Sequence, residues 1–111
     1  MKKNDGLAFI AQVFNGLNIS ISMMVFLCLC SDYKEYLPDA ERVGETHEAF
    51  NQSLLNALDG EKVISPTIIK NGHAFLDELE KFQTLPPAKN KEIKKLIGDM
   101  RKDTREVLRV S

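Results

Sequence analysis

The sequence is dominated by one uncharged stretch, GLAFIAQVFNGLNISISMMVFLCLC, which covers residues 6–30. Lys2 and Lys3 precede it, and the charged segment DYKE, residues 32–35, follows it. A helix that crosses a bilayer needs roughly 20 mostly apolar residues, so this stretch is long enough. We expect one bent helix or two shorter ones, because its first half contains four residues that are costly in lipid or weaken a helix: Gln12, Asn15, Gly16 and Asn18.

Three interpretations of this stretch are open. As a membrane anchor, it would keep its N-terminus in the cytoplasm, because lysines precede it and acidic residues follow it. As an export signal, it has an apolar core from Ile19 to Leu29 and small residues, Cys28 and Cys30, at positions −3 and −1 of a cut before Ser31, although the region before the core is unusually long. As the central helix of a soluble bundle, it would be apolar all round because other helices surround it. The first two place the protein at the membrane or outside the cytoplasm and are preferred. The third places it in the cytoplasm.

The remaining composition suits one small domain. The chain has 111 residues, of which 43% are hydrophobic and 28% are charged. We divide it into an apolar N-terminal helix, residues 1–30, and a helical bundle domain, residues 31–111. Its two cysteines, Cys28 and Cys30, diverge along a helix, so we expect no disulfide between them.

Three further helices are predicted from apolar periodicity and from Gly and Pro signals. The second starts near Pro38 and stops at Gly60, and the third opens at Ser65-Pro66. The third ends before an extended Pro86-Pro87 joint, and the fourth runs from about Ala88 to Arg109. The predicted apolar positions are Ala40, Val43, Phe50, Leu54 and Ala57, then Ile68, Ile69, Phe75, Leu76, Leu79 and Phe82, then Ile93, Leu96, Ile97, Met100, Thr104, Val107 and Leu108.

Short connections between these helices favour antiparallel neighbours. The predicted fold class is therefore all-α. It is a small antiparallel helical bundle in which three amphipathic helices follow the apolar N-terminal helix, four helices in total. Gly72 is expected to let two helices approach closely, with His73 beside it at the crossing.

Catalytic and metal-binding candidates are few. His47-Glu48 resembles the start of a zinc-protease helix, but Asn51 stands where the second metal-binding His is needed. We therefore predict that His47 packs or hydrogen-bonds on the apolar face of the second helix. No familiar metal-site spacing relates it to the other candidates, His73, Cys28 and Cys30. The sequence also has no phosphate-binding loop or nucleophile elbow, so we predict no enzyme, cofactor or metal site.

Charge is unevenly distributed, although the net charge is only −1. Residues 31–85 contain 5 Lys and Arg against 11 Asp and Glu, and residues 86–111 contain 8 against 4. An acidic stripe is expected on the second helix and a basic face on the fourth. The candidate partner-binding residues are Glu41, Glu45 and Glu48, with Lys94, Lys102, Arg105 and Arg109.

These charges could also be satisfied within the molecule. The acidic stripe and the basic face could form ion pairs with each other. Alternatively, residues one helical turn apart could pair locally, such as Lys95 with Asp99 and Lys102 with Glu106. Nucleic acid is a disfavoured partner, because acids are interleaved with the basic residues and the fourth helix has no aromatic residue for stacking on bases.

The leading functional hypothesis is a non-enzymatic protein-interaction module, membrane-anchored or exported, that binds or neutralises a partner protein. The alternative is a soluble cytosolic four-helix adaptor or regulator, dimeric, that uses the N-terminal helix as core or subunit interface. A third hypothesis, of lower weight, is a small protein whose apolar stretch itself permeabilises membranes.

Overall fold

The structure, a computed structural model, describes the backbone of residues 2–59 and 66–110 and the side chains of residues 13–57 and 66–109. This part of the chain forms four α-helices and no strand, which confirms the all-α prediction. They are α1 (Lys2–Cys30), α2 (Leu37–Asp59), α3 (Pro66–Gln83) and α4 (Lys91–Val110). Two short 3-10 helices, Lys34–Tyr36 and Pro86–Lys89, lie in the connections before α2 and before α4.

Each helix runs antiparallel to the next one. Along α1 from Leu27 back to Gly16, the neighbouring positions on α2 run forward from Gly44 to Leu54. The contacts of α3 with α2 are also antiparallel, since Arg42 meets Glu78 and Phe50 meets Phe75. The same holds between α3 and α4, where Gln83 meets Arg101 and Gly72 meets Leu108. Because α4 also packs extensively on α1, the four helices close into a ring in which α2 and α4 are diagonal.

The core runs along the axis of this ring and receives side chains from every helix. α1 contributes Ile19, Met23, Phe26 and Cys30, all of them at most 2% exposed. The Phe26 ring meets Phe82 of α3 edge-on across the core, with 5.0 Å between ring centroids. The predicted apolar faces of α2, α3 and α4 are confirmed. Most of their predicted positions are buried, and five are half-buried, namely Leu54, Ala57, Ile69, Leu96 and Leu108.

α1 is a single continuous helix, without a break near Asn15. Gly16 lies where α2 packs on this part of α1: a Cβ atom there would lie 3.4 Å from Cδ1 of Leu54, an ordinary van der Waals contact. One face of α1 is buried, and the opposite face is exposed. The segment Val13–Cys30, with a mean hydropathy of 1.9, is long and apolar enough for a membrane span, a test that core helices and signal sequences also pass.

The start of α4 differs from the prediction. The helix begins at Lys91 and not near Ala88, because Asn90 caps it: its side-chain oxygen accepts hydrogen bonds from the N–H groups of Glu92 (2.9 Å) and Ile93 (3.2 Å). The extended conformation expected at the two prolines is confined to Leu85, and Pro86–Lys89 forms a 3-10 turn instead. Gly60 and Ser65, the predicted end of α2 and start of α3, lie outside the described residues.

Gly72 provides the predicted close approach between helices. A Cβ atom there would lie 2.7 Å from Cδ2 of Leu108 and 3.1 Å from Cε1 of Phe50. The companion prediction for His73 is wrong, because its side chain is exposed and does not lie at the crossing. Gly98 on α4 is the opposite case, since a Cβ atom there would meet nothing within 4 Å.

These two glycines give a matched test of the fold. Gly72→Ala should destabilise the protein by about 1 kcal/mol, because overpacking exceeds the gain in helix propensity. Gly98→Ala should stabilise it by up to about 1 kcal/mol, since only the propensity gain remains. Urea unfolding monitored by circular dichroism measures both effects. Changes of the same sign in the two variants would contradict this packing.

Candidate interaction surfaces

The acidic stripe of α2 is exposed to solvent. Glu41, Glu45 and Glu48 follow one another at helical spacing, and all three side chains are exposed. Within the described residues no cation lies within ion-pair distance of them. The nearby cation, Arg42, instead pairs with Asp39 on its own helix and reaches Glu78 of α3 at 3.9 Å. The stripe is therefore available to a partner.

The basic face of α4 is also exposed, and one of its four predicted residues is already paired. Arg109 donates two hydrogen bonds, of 2.6 and 2.8 Å, to the carboxylate of Glu106, which lowers the pKa of that carboxyl group. The pair predicted between Lys102 and Glu106 is therefore replaced by this one. Lys94, Lys102 and Arg105 have no acidic partner within 4 Å in the described part of the chain.

The acids of α4 are interleaved with its basic residues in sequence and lie beside them on the helix, where Glu106 pairs with Arg109. Lys94, Lys102 and Arg105 share one side of the helix, with the exposed Gly98 between them. At helical spacing the acids form a row of their own on the adjacent flank, where burial and the neighbouring Asp99 raise the pKa of Asp103. That row consists of Glu92, Asp99, Asp103 and Glu106. The basic face is consequently continuous.

The two charged faces cannot pair with each other within one molecule. α2 and α4 are diagonal in the ring of helices, so the outward sides of the two helices point in opposite directions. An internal seam between the acidic stripe and the basic face therefore does not fit this architecture.

A further surface was not predicted from the sequence. Phe14, Leu17, Ile21 and Met24 of α1 are 55–69% exposed, and Cys28 continues the row. We call these five residues the outer stripe of α1. They recur at alternating intervals of three and four residues, a spacing that the sequence contains. The opposite row, Ile19, Met23, Phe26 and Cys30, has the same spacing, so periodicity alone gave no reason to prefer either row as the core.

His47 fulfils the structural prediction made for it. Its ring lies 5.7 Å from Phe75 between centroids, and its Nε2 atom is 3.4 Å from Oγ of Ser20 on α1. Burial lowers the pKa of His47 below its ordinary value, and the neighbouring Glu48 opposes this effect. His47 therefore acts as a neutral packing and hydrogen-bonding group between three helices.

The two cysteines differ in their surroundings. Cys30 is buried in the core, where loss of solvation raises the pKa of its thiol to about 11, and Cys28 is exposed. Both thiols are free in this structure. The structure does not bring His47, His73 and the cysteines together, and over residues 13–57 and 66–109 no three His, Cys, Asp or Glu side chains form a group that could hold a metal ion.

The lowered pKa of His47 predicts a pH dependence of folding. The unfolded chain takes up a proton on the His47 ring more readily than the folded protein does. The contribution of neutral His47 to the free energy of unfolding is therefore complete above pH ~6.5 and is lost as the pH falls below that value. His47→Gln should therefore lose less stability than the wild type between about pH 7.5 and pH 5.5. Urea unfolding at both pH values measures the difference. His73→Gln, at an exposed position, is the matched control. Equal losses in His47→Gln and the wild type would contradict the prediction.

Comparison with known proteins adds no family to this geometry. No protein-family model, curated protein or solved structure matches the chain. Its function is therefore inferred from the chemistry of its own surfaces.

Proposed function

We propose that this protein is a non-enzymatic interaction module, a soluble four-helix adaptor or regulator that binds a partner protein through its charged faces. The observation that carries the proposal is the position of α1. Its inner row, Ile19, Met23, Phe26 and Cys30, completes the core of the bundle.

The role of α1 in the core supports a soluble protein over an anchored one. If α1 left the bundle for a bilayer, the buried face of α4 would lose its main neighbour. That face includes Ile97 and Met100, which are at most 1% exposed. Each large apolar side chain returned to water costs about 1.5–3 kcal/mol. Asn15, Asn18 and Ser20 would also enter the lipid, where polar groups are costly.

The charged faces support an interaction module. Lys94, Lys102 and Arg105 form a continuous, exposed row without acidic partners in the described part of the molecule. Exposed charges of one sign steer association with surfaces of opposite charge. We infer that this row binds an acidic segment of a partner. The stripe Glu41, Glu45 and Glu48 offers a second face to a basic one.

The non-enzymatic part of the proposal follows from the titratable groups. His47, the group that most resembles a catalytic residue, packs between helices beside Phe75. The depression of 320 Å³ at residues 32–36 is lined by a loop and a 3-10 turn, with two tyrosines and three charged side chains. Its lining residues are five consecutive positions of the chain, so no second helix contributes a titratable group to this lining.

A second candidate is an anchored or exported form of the same module. It is favoured by the length and hydropathy of Val13–Cys30 and by the lysines that precede this segment. In that form, residues 31–111 would act without α1.

The two candidates predict different behaviour of residues 31–111. Without residues 1–30 this segment should show no cooperative unfolding transition, because the core loses Phe26 and its neighbours, whereas the full chain should be soluble without detergent. Thermal melts by circular dichroism and fractionation of the full chain test this. Deletion of residues 2–5, before the apolar stretch, is the control. A cooperative transition in segment 31–111, with a full chain that requires detergent, would favour the anchored form.

Charge reversal tests the binding face. The triple variant Lys94→Glu, Lys102→Glu, Arg105→Glu should fold like the wild type, because exposed charges contribute little to stability. It should capture acidic partners at least about tenfold less well at low salt, where steering is least screened. Capture on the immobilised protein, quantified by mass spectrometry, measures this loss.

The matched control reverses three exposed lysines on other elements, Lys34, Lys70 and Lys89, and changes the net charge by the same amount. It should retain the captured partners. Equal loss in both variants would assign the effect to net charge alone. Full capture by a folded α4 variant would exclude this face as the binding site.

A further inference from the structure

We propose that the outer stripe of α1 binds the same stripe of a second copy of this chain, with the two α1 helices antiparallel. The proposal rests on the proposed function in one respect, namely that α1 remains part of a soluble bundle. It adds a defined occupant for the exposed apolar face.

The spacing of the outer stripe is that of a two-helix seam. Phe14, Ile21 and Cys28 are seven residues apart, and Leu17 and Met24 lie three residues after the first two of them. This is the a and d pattern of a heptad repeat, in which side chains of one helix fill holes in another. The sequence continues the pattern towards the N-terminus with Ile10 at a d position and Leu7 at an a position.

The exposed area supplies a large part of what a dimer interface needs. Phe14, Leu17, Ile21 and Met24 are 55–69% exposed, and the flanking Val25 and Leu27 are 44% and 40% exposed. Six side chains of this size present apolar surface on the order of 500 Å², towards the upper end of the range for the largest patch on a monomer, which is often functional. A standard interface buries about 800 Å² per partner, so these six side chains supply more than half of one.

A second copy fits this stripe better than a lipid surface. Helices that lie on membranes have lysines and arginines flanking the apolar face. The stripe of α1 is bordered by Asn18 on one side and by Ser20 on the other, and the whole stretch from residue 6 to residue 30 is uncharged. The opposite row of α1 lies in the core, which also disfavours a transmembrane orientation.

Charge and side-chain size favour the antiparallel arrangement. A parallel pair would place Lys2 and Lys3 beside their own copies, and Asp32 beside Asp32. An antiparallel pair places the lysines of one copy at the acidic end of the other, and it opposes the two helix dipoles. In the register that aligns a with d positions, Phe14 faces Met24 and Leu17 faces Ile21 of the other copy. A methionine sulfur against an aromatic ring is a favourable contact.

The solution mass tests the dimer. Light scattering coupled to size exclusion should give about 25 kDa for the wild type, twice the 12.5 kDa of one chain. Ile21→Glu should give a folded monomer, because Ile21 is 61% exposed and a charge in the seam would be buried. Leu55→Glu on α2, also an exposed apolar position, is the matched control and should remain dimeric. A wild-type monomer across a concentration series would overturn the proposal.

Oxidative cross-linking tests the orientation. In the antiparallel register, position 10 of one copy faces Cys28 of the other, so Ile10→Cys should form a covalent dimer under mild oxidation. The two native Cys28 thiols are then about 27 Å apart and should not cross-link in the wild type. Ile10→Cys combined with Cys28→Ser is the control and should stay uncrosslinked. A Cys28-linked wild-type dimer would show a parallel seam and overturn the antiparallel arrangement.

Lipid binding is distinguished by flotation with vesicles of phosphatidylcholine and phosphatidylglycerol. The dimer should stay at the bottom of the gradient. A chain that is monomeric and floats, with Ile21→Glu abolishing flotation, would assign the stripe to lipid and overturn the dimer. A soluble monomer that does not float would overturn the dimer and leave the proposed adaptor function intact, whereas a detergent requirement would overturn that function first.

Discussion

The contact between the inner row of α1 and the rest of the bundle is the interaction on which the other helices depend. Phe26 meets Phe82 across the core, and Met23 and Leu27 lie over Gly44 of α2. Burial of four side chains of this kind contributes on the order of 6–12 kcal/mol, against a total stability of about 5–15 kcal/mol for a typical domain. The helix that looks most like a separate segment in the sequence therefore contributes a substantial part of the core in this structure.

The same helix has to satisfy a second constraint, because it is apolar on two opposite sides. Its small and polar residues, Asn15, Gly16, Ser20 and Ser22, lie between the two rows. Averaged hydropathy cannot separate this arrangement from a membrane span, since both give a long uncharged stretch. The difference lies in the position of the polar residues around the helix. Two apolar rows with polar borders are typical of a helix with two protein neighbours.

The sequence predicted those parts of the fold where one face is apolar and the other polar. The buried faces of α2 and α3 follow directly from this alternation. The predicted start of α4 was three residues too early, because the side chain of Asn90, three residues after Pro87, caps the helix. Which row of α1 is buried could not be predicted, because both rows have the same spacing. The choice of Arg109 over Lys102 as partner of Glu106 depends on side-chain geometry, since both stand within about one turn of it.

The diagonal placement of α2 and α4 puts the acidic stripe and the basic face on opposite sides of the molecule. With a net charge of −1, the molecule has little overall field, but a basic row and an acidic stripe on opposite sides make it strongly dipolar at close range. In the proposed antiparallel dimer both faces stay outside the seam, because α2 and α4 flank α1 and do not cover its outer stripe. A two-fold axis across α1 then duplicates each face on one rigid body. A partner with two acidic segments would bind the second basic row at high effective concentration. Dimerisation through α1 would therefore strengthen binding at the basic rows, although these rows are not part of the dimer interface.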